Sequence, residues 1–150
     1  MFLWRISDYP SLDGGGGLLY SARWHTAGQP VVYLAESAPG AMLEVLVHLE
    51  LDEEDIPPAY TLLRVEAPDN IVPVPLVDAM DAIYDEPLRS SRALGDEWLR
   101  GKTSALAVVP SVIMPHTRNY LLNPLHADAQ RILITSATRA TYDHRLLRLI

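Results

Sequence analysis

Three segments far apart in the chain carry side chains suited to an anionic, sugar-bearing ligand. The first holds Arg5, between Trp4 and Ile6, and Arg23, which precedes Trp24 after a glycine-rich stretch. Guanidinium forks grip diphosphate oxygens two at a time, a geometry that lysine does not reproduce. The second is Val32-Tyr33-Leu34-Ala35-Glu36-Ser37, running into a helix that carries Glu44. Tyr33, in an otherwise apolar strand, is either packed core with a bonded hydroxyl or a platform for a planar ring. Glu44 interrupts the apolar residues Met42-Leu43 and Val45-Leu46-Val47, so it lies on the polar face or is half buried. Half burial raises a carboxyl pKa and marks a site residue. His48, four residues on, shares its face as a partner or as a capping side chain. The third segment is Val109-Pro110-Ser111, followed by Asn119-Tyr120-Leu121-Leu122-Asn123-Pro124. The Ser111 hydroxyl can bond a ligand or a turn backbone. Taken singly, each arginine reads as a salt-bridge partner and Tyr33 as core.

Several chemistries are excluded. Ser111 lacks the Gly-x-Ser-x-Gly setting of a hydrolase nucleophile. The five histidines lack metal-site spacing, and no His-Glu-x-x-His occurs, so no metal is expected. Absence of cysteine removes disulfides, thiolate zinc and a thiol nucleophile, and fits a reducing compartment. A net charge of -7 argues against direct nucleic-acid binding. It leaves room for a dinucleotide held by a few placed arginines. No apolar run approaches a membrane span, and the start lacks a signal-peptide layout, so the cytoplasm is the expected location.

The elements that must position these residues are short. Gly14 to Gly17 reads as a flexible connection after an N-terminal strand, since a phosphate cradle would need a following Lys-Ser/Thr. Val31 to Leu34 reads as a buried strand. Ser37 is placed as an N-cap with Pro39 in the first turn. Ala41 to Leu51 reads as a helix with a Met42, Val45, Leu46, Leu49 stripe. Asp52 to Asp55 reads as a solvated acidic loop. Tyr60 to Glu66 alternates as a strand, while the prolines of Val72 to Pro75 exclude a central one. A helix over Ser90 to Leu99 ends near Gly101. Strands follow at Leu106 to Val109 and Arg131 to Thr135, with a strand end or turn at Tyr120 to Pro124. Such mixing without βαβ alternation predicts one compact α+β domain spanning 1–150.

In order and spacing, these pieces resemble the RES domain family, toxins of bacterial toxin–antitoxin pairs. The resemblance rests on Leu3-Trp4-Arg5-Ile6, Ser21-Ala22-Arg23-Trp24, Gly28 to Ala35, Ala41-Met42-Leu43-Glu44 and Gly95-Asp96-Glu97-Trp98-Leu99. It continues through Val109-Pro110-Ser111, Asn119 to Pro124 and Asp143-His144-Arg145-Leu146. Ser21-Ala22 and His25 stand where the family often has Gly-Gly and Asn. The resemblance implies a fold like that of ADP-ribosyltransferase toxins, with NAD+ as substrate and no permanent cofactor. It implies cleavage of the nicotinamide–ribose bond by hydrolysis or phosphorolysis, or alternatively mono-ADP-ribosylation of a host protein. It maps the family's arginines onto Arg5 and Arg23, its Tyr onto Tyr33, its Glu onto Glu44 and its Ser onto Ser111. Glu44, Arg5 and Ser111 are then the catalytic candidates. Arg5, Arg23, Tyr33, Ser111, Asn119 and Asn123 are the NAD-binding ones. A helix-turn-helix, Xre-like antitoxin is the implied partner, and a homodimer the implied assembly. The apolar tail Leu146 to Ile150 belongs to the core or to that dimer interface.

Overall fold

The computed structural model describes residues 1–49, 56–81 and 84–148. The acidic loop at 52–55, the expected helix end at 50–51 and the last two residues of the tail lie outside the described residues. Seven strands form one sheet in the order β4-β5-β6-β2-β1-β3-β7. They are β1 (Phe2–Ile6), β2 (Val32–Ala35), β3 (Ala59–Glu66), β4 (Val74–Pro75), β5 (Leu106–Pro110), β6 (Arg118–Leu122) and β7 (Leu133–Thr141). All neighbours are antiparallel except β4 and β5. Among the described residues four α-helices accompany them: α1 (Gly15–Leu19), α2 (Ala38–His48), α3 (Leu88–Gly101) and α4 (His144–Leu147). This is the α+β domain the sequence predicts. No described helix is long and apolar enough to cross a membrane.

Period-two alternation puts a separate core on each face of the sheet. One contains Leu3, Val32, Leu34, Val65, Leu106 and Leu122. The other joins Ala107, Val109 and Leu121 to Trp24 and to Trp98 and Leu99 of α3. The prolines hold β4 at the sheet edge, where a missing N–H breaks no second ladder.

Two local expectations change. The glycine run forms a packed helical turn in place of a flexible connection. Gly14 opens it at φ 73°, and a Cβ there would lie 2.5 Å from Val31 N. Tyr120 to Leu122 is a strand end as expected, the last three residues of β6, which is paired on both sides. The last strand starts two residues later than expected and runs on to Thr141, because a 3-10 turn occupies Ala127–Arg131. Ser37 caps α2 as expected, its Oγ accepting from Gly40 N at 3.1 Å.

Candidate active site

Strands β1 and β2 share a single paired position, Trp4 opposite Ala35. Beyond it the ladder is not continued, and a cavity of about 330 Å³ lies at this seam. Arg5 and Ile6 of β1 and Tyr33 and Leu34 of β2 all line it. The parted ladder explains how residues of both side-chain parities reach one space. Helix α2 contributes Ala41, Glu44, Val45 and His48, which recur at i, i+3, i+4 and i+7 and so form one helix face. Ala22, Arg23 and Trp24 close another side, with Pro110, Val112 and Asn119 completing the wall. The volume falls in the roughly 300–1,000 Å³ range of small-ligand sites.

Glu44 is half buried, and its Oε1 accepts from Asn119 Nδ2 at 2.7 Å. Asn119 is set by the register: Trp4, Ala35, Asn119 and Val109 stand opposite one another across four strands. One carboxylate oxygen is therefore fixed by a rigid sheet residue. His48 is a capping side chain, its Nδ1 donating to the Glu44 main-chain carbonyl at 2.7 Å.

Arg5 donates through Nη1 to the Ser11 carbonyl at 3.0 Å. Burial pulls its guanidinium below the ordinary value, and Asp13 works in the opposite direction. Arg23 donates to the Tyr84 carbonyl at 3.2 Å and lies 5.8 Å from the centre of that ring. Its Nε is buried with no hydrogen-bond partner among the described residues. An orphaned buried donor costs about 1–3 kcal/mol. Tyr33 lines the cavity, while its hydroxyl accepts from Trp24 N at 3.1 Å and meets His25 Nδ1 at 2.8 Å. Burial pushes that hydroxyl far above its usual pKa, the Trp24 N–H working against the shift.

Two of the expected ligand residues do not line this cavity. Ser111 is 2% exposed and off the cavity wall. Its Oγ accepts from Ile113 N at 3.1 Å and Met114 N at 3.3 Å, the turn-backbone alternative. Asn123, 1% exposed, is also off the wall. It donates to the Leu99 carbonyl at 3.0 Å and accepts from Leu125 N at 3.1 Å, which ties α3 to the end of β6.

Sequence reasoning missed the supports of the Arg23 loop, which come from α3. Ser91 Oγ donates to the Arg23 carbonyl, and Arg92 Nε to the Ala22 carbonyl at 2.8 Å. Asp96 accepts from Thr26 N, Thr26 Oγ1 and Gln29 Nε2 at 2.7–2.9 Å. At Gly95 an added Cβ would lie 2.7 Å from the Trp24 carbonyl carbon and overlap its oxygen. The signal was Gly95 inside a helix beside Asp96, a residue that costs helix stability unless a close approach demands it. Among the described residues, no cluster of His, Asp and Glu is placed to hold a metal ion.

The fold matches that of a chain in a solved complex. The chain superposes on one in the crystal structure of the M. tuberculosis MbcT–MbcA toxin–antitoxin complex, with TM-score 0.75 over 93% of this chain and 84% of that one. Sequence identity there is 18%, so the likeness speaks for the fold. The RES domain profile matches residues 2–143, and the chain belongs to the RES domain family of toxins. It is 52% identical over 130 residues to Toxin Res of Pseudomonas putida, covering 87% of this chain and 89% of that protein. It is 34% identical over 159 residues to the Prs ADP-ribosylating toxin of Sphingobium sp., covering 97% and 96%. This membership agrees with an ADP-ribosyltransferase-toxin type of fold.

Proposed function

We propose that this protein is the toxin of a toxin–antitoxin pair and consumes NAD+ by breaking its nicotinamide–ribose bond. One observation carries the reading. Two arginines, a carboxylate and an aromatic ring from four separate segments converge on one cavity. Loss of nicotinamide leaves an oxocarbenium-like ribose. Glu44, with Oε1 held by Asn119, turns its other oxygen to that developing charge or to the ribose hydroxyls. Arg5 and Arg23 grip the pyrophosphate through their guanidinium forks. The Tyr33 ring stacks on the nicotinamide end. Ser111 acts indirectly, holding the turn that brings Val112 to the wall. The ADP-ribose then passes to water or phosphate.

A second reading is transfer of ADP-ribose to a host protein. It breaks the same bond and is favoured by the relative that is named an ADP-ribosylating toxin. A cognate antitoxin with a helix-turn-helix region, a toxin homodimer and a cytoplasmic site of action complete the proposal. The antitoxin is supported by the solved neighbour, a toxin–antitoxin complex. NAD+ carrying label in its adenylate half, incubated with protein and cell lysate, tests the reading. The expected result is free labelled ADP-ribose or its phosphate, absent with Glu44→Gln. Label on protein selects transfer. Equal turnover by folded Glu44→Gln would remove Glu44 from the mechanism.

A further inference from the structure

We propose that His25 is a positioning residue that orients Tyr33 and anchors the Arg23 loop through a directional hydrogen-bond chain. The effect on NAD+ rests on the reading above; the chain itself does not. His25 is 2% exposed and has no place on the cavity wall. Both ring nitrogens have partners: Nε2 lies 3.2 Å from the Gly17 carbonyl and Nδ1 lies 2.8 Å from the Tyr33 hydroxyl.

The partners dictate the protons. A carbonyl only accepts, so Nε2 carries the hydrogen and donates to Gly17. A neutral ring then has a bare Nδ1, which accepts from the Tyr33 O–H. The Tyr33 oxygen accepts in turn from the Trp24 main-chain N–H. The run is Trp24 N–H to Tyr33 O–H to His25 Nδ1, then Nε2–H to Gly17 O. Each donor has one acceptor, and the direction is the same throughout.

Three segments are tied by this run: α1, the Ala22–His25 turn that carries Arg23, and β2. With its proton held by His25, the Tyr33 hydroxyl is fixed away from a ligand, and the cavity receives the ring. His25 therefore sets two ligand-facing groups, Tyr33 and Arg23, without touching ligand.

Imidazole nitrogen NMR and a double-mutant cycle test this. In the wild-type protein, His25 should show a protonated Nε2 and a bare Nδ1. A proton on Nδ1 would overturn the proposal. His25→Gln and Tyr33→Phe should each raise the KM for NAD+ about fivefold, the worth of one hydrogen bond, with kcat within twofold. The double variant should be no worse than either single one, because both remove the same link. Additive effects would overturn it, assigning His25 a general structural role. Tyr33→Phe keeps the ring and the buried imidazole, so it remains informative where His25→Gln does not fold. Should the wild-type protein leave NAD+ intact, the function falls. The imidazole signals and the same cycle read by urea unfolding then still decide whether His25 orients Tyr33.

Discussion

Gly95→Ala places one methyl group where the Trp24 backbone already runs. The new Cβ would stand 2.7 Å from the Trp24 carbonyl carbon, against the 3.4 Å at which ordinary contact begins. The loop must retreat by about 0.7 Å from that atom, and farther from the overlapped oxygen. It is pinned where it would have to move: Ser91 and Arg92 hold the Arg23 and Ala22 carbonyls, and Asp96 holds Thr26 and Gln29. Overpacking against such an obstacle costs about 1–3 kcal/mol, and a backbone obstacle belongs at the upper end. For 150 residues, about 3 kcal/mol corresponds to a Tm fall of roughly 6–12 °C. Thermal unfolding followed by circular dichroism reads this directly. Any folded fraction should bind NAD+ more weakly, because Arg23 moves with the loop. A Tm within about 2 °C of the wild type would refute the close approach of α3 to Trp24.

Other consequences follow from single contacts. Asn119→Ala frees Glu44 Oε1, so kcat should fall about tenfold or more with little change in KM; a rise in KM alone would make Asn119 a substrate contact. Ser111→Ala removes the acceptor of two turn N–H groups, so urea unfolding should show a loss of about 1–2 kcal/mol with residual NAD+ cleavage; complete loss of turnover in a folded variant would place the hydroxyl in the chemistry. Tyr33 has its folded pKa raised, so the neutral form favours the fold. That stability is fully present below the ordinary tyrosine value of about 10 and drains away as pH rises above it. Tyr84, Tyr120 and Tyr142 are also shifted upward, but less, so ultraviolet titration of the folded protein should show Tyr33 ionising last, and Tyr33→Phe should abolish that final step.

What was legible in the sequence was the residue set more than its geometry. Arg5, Arg23, Tyr33, Glu44 and Asn119 do meet in space, because strand register and helix periodicity are local rules with long reach. Period two alone would have put Arg5 on the face opposite Trp4; the parted β1–β2 ladder brings both to one cavity, and no local pattern encodes a ladder that stops. Ser111 and Asn123 look like ligand groups by type. Burial gives them backbone partners, and a hydroxyl or amide does not announce which it will meet. The glycine run illustrates the same limit. Four glycines read as freedom, whereas Gly14 is there because the neighbouring Val31 backbone leaves no room for a Cβ. His25 was invisible for a related reason, since its two partners come from α1 and β2.

The central claim is that the cavity between α2 and the β1–β2 seam breaks the nicotinamide–ribose bond. Nicotinamide release from NAD+ by the purified protein, with and without phosphate, tests it most directly. Release is expected in at least one condition, with dependence on phosphate marking phosphorolysis and independence marking hydrolysis. Absence of release in both, and also when cell lysate supplies acceptor protein, from protein that is folded, would contradict it.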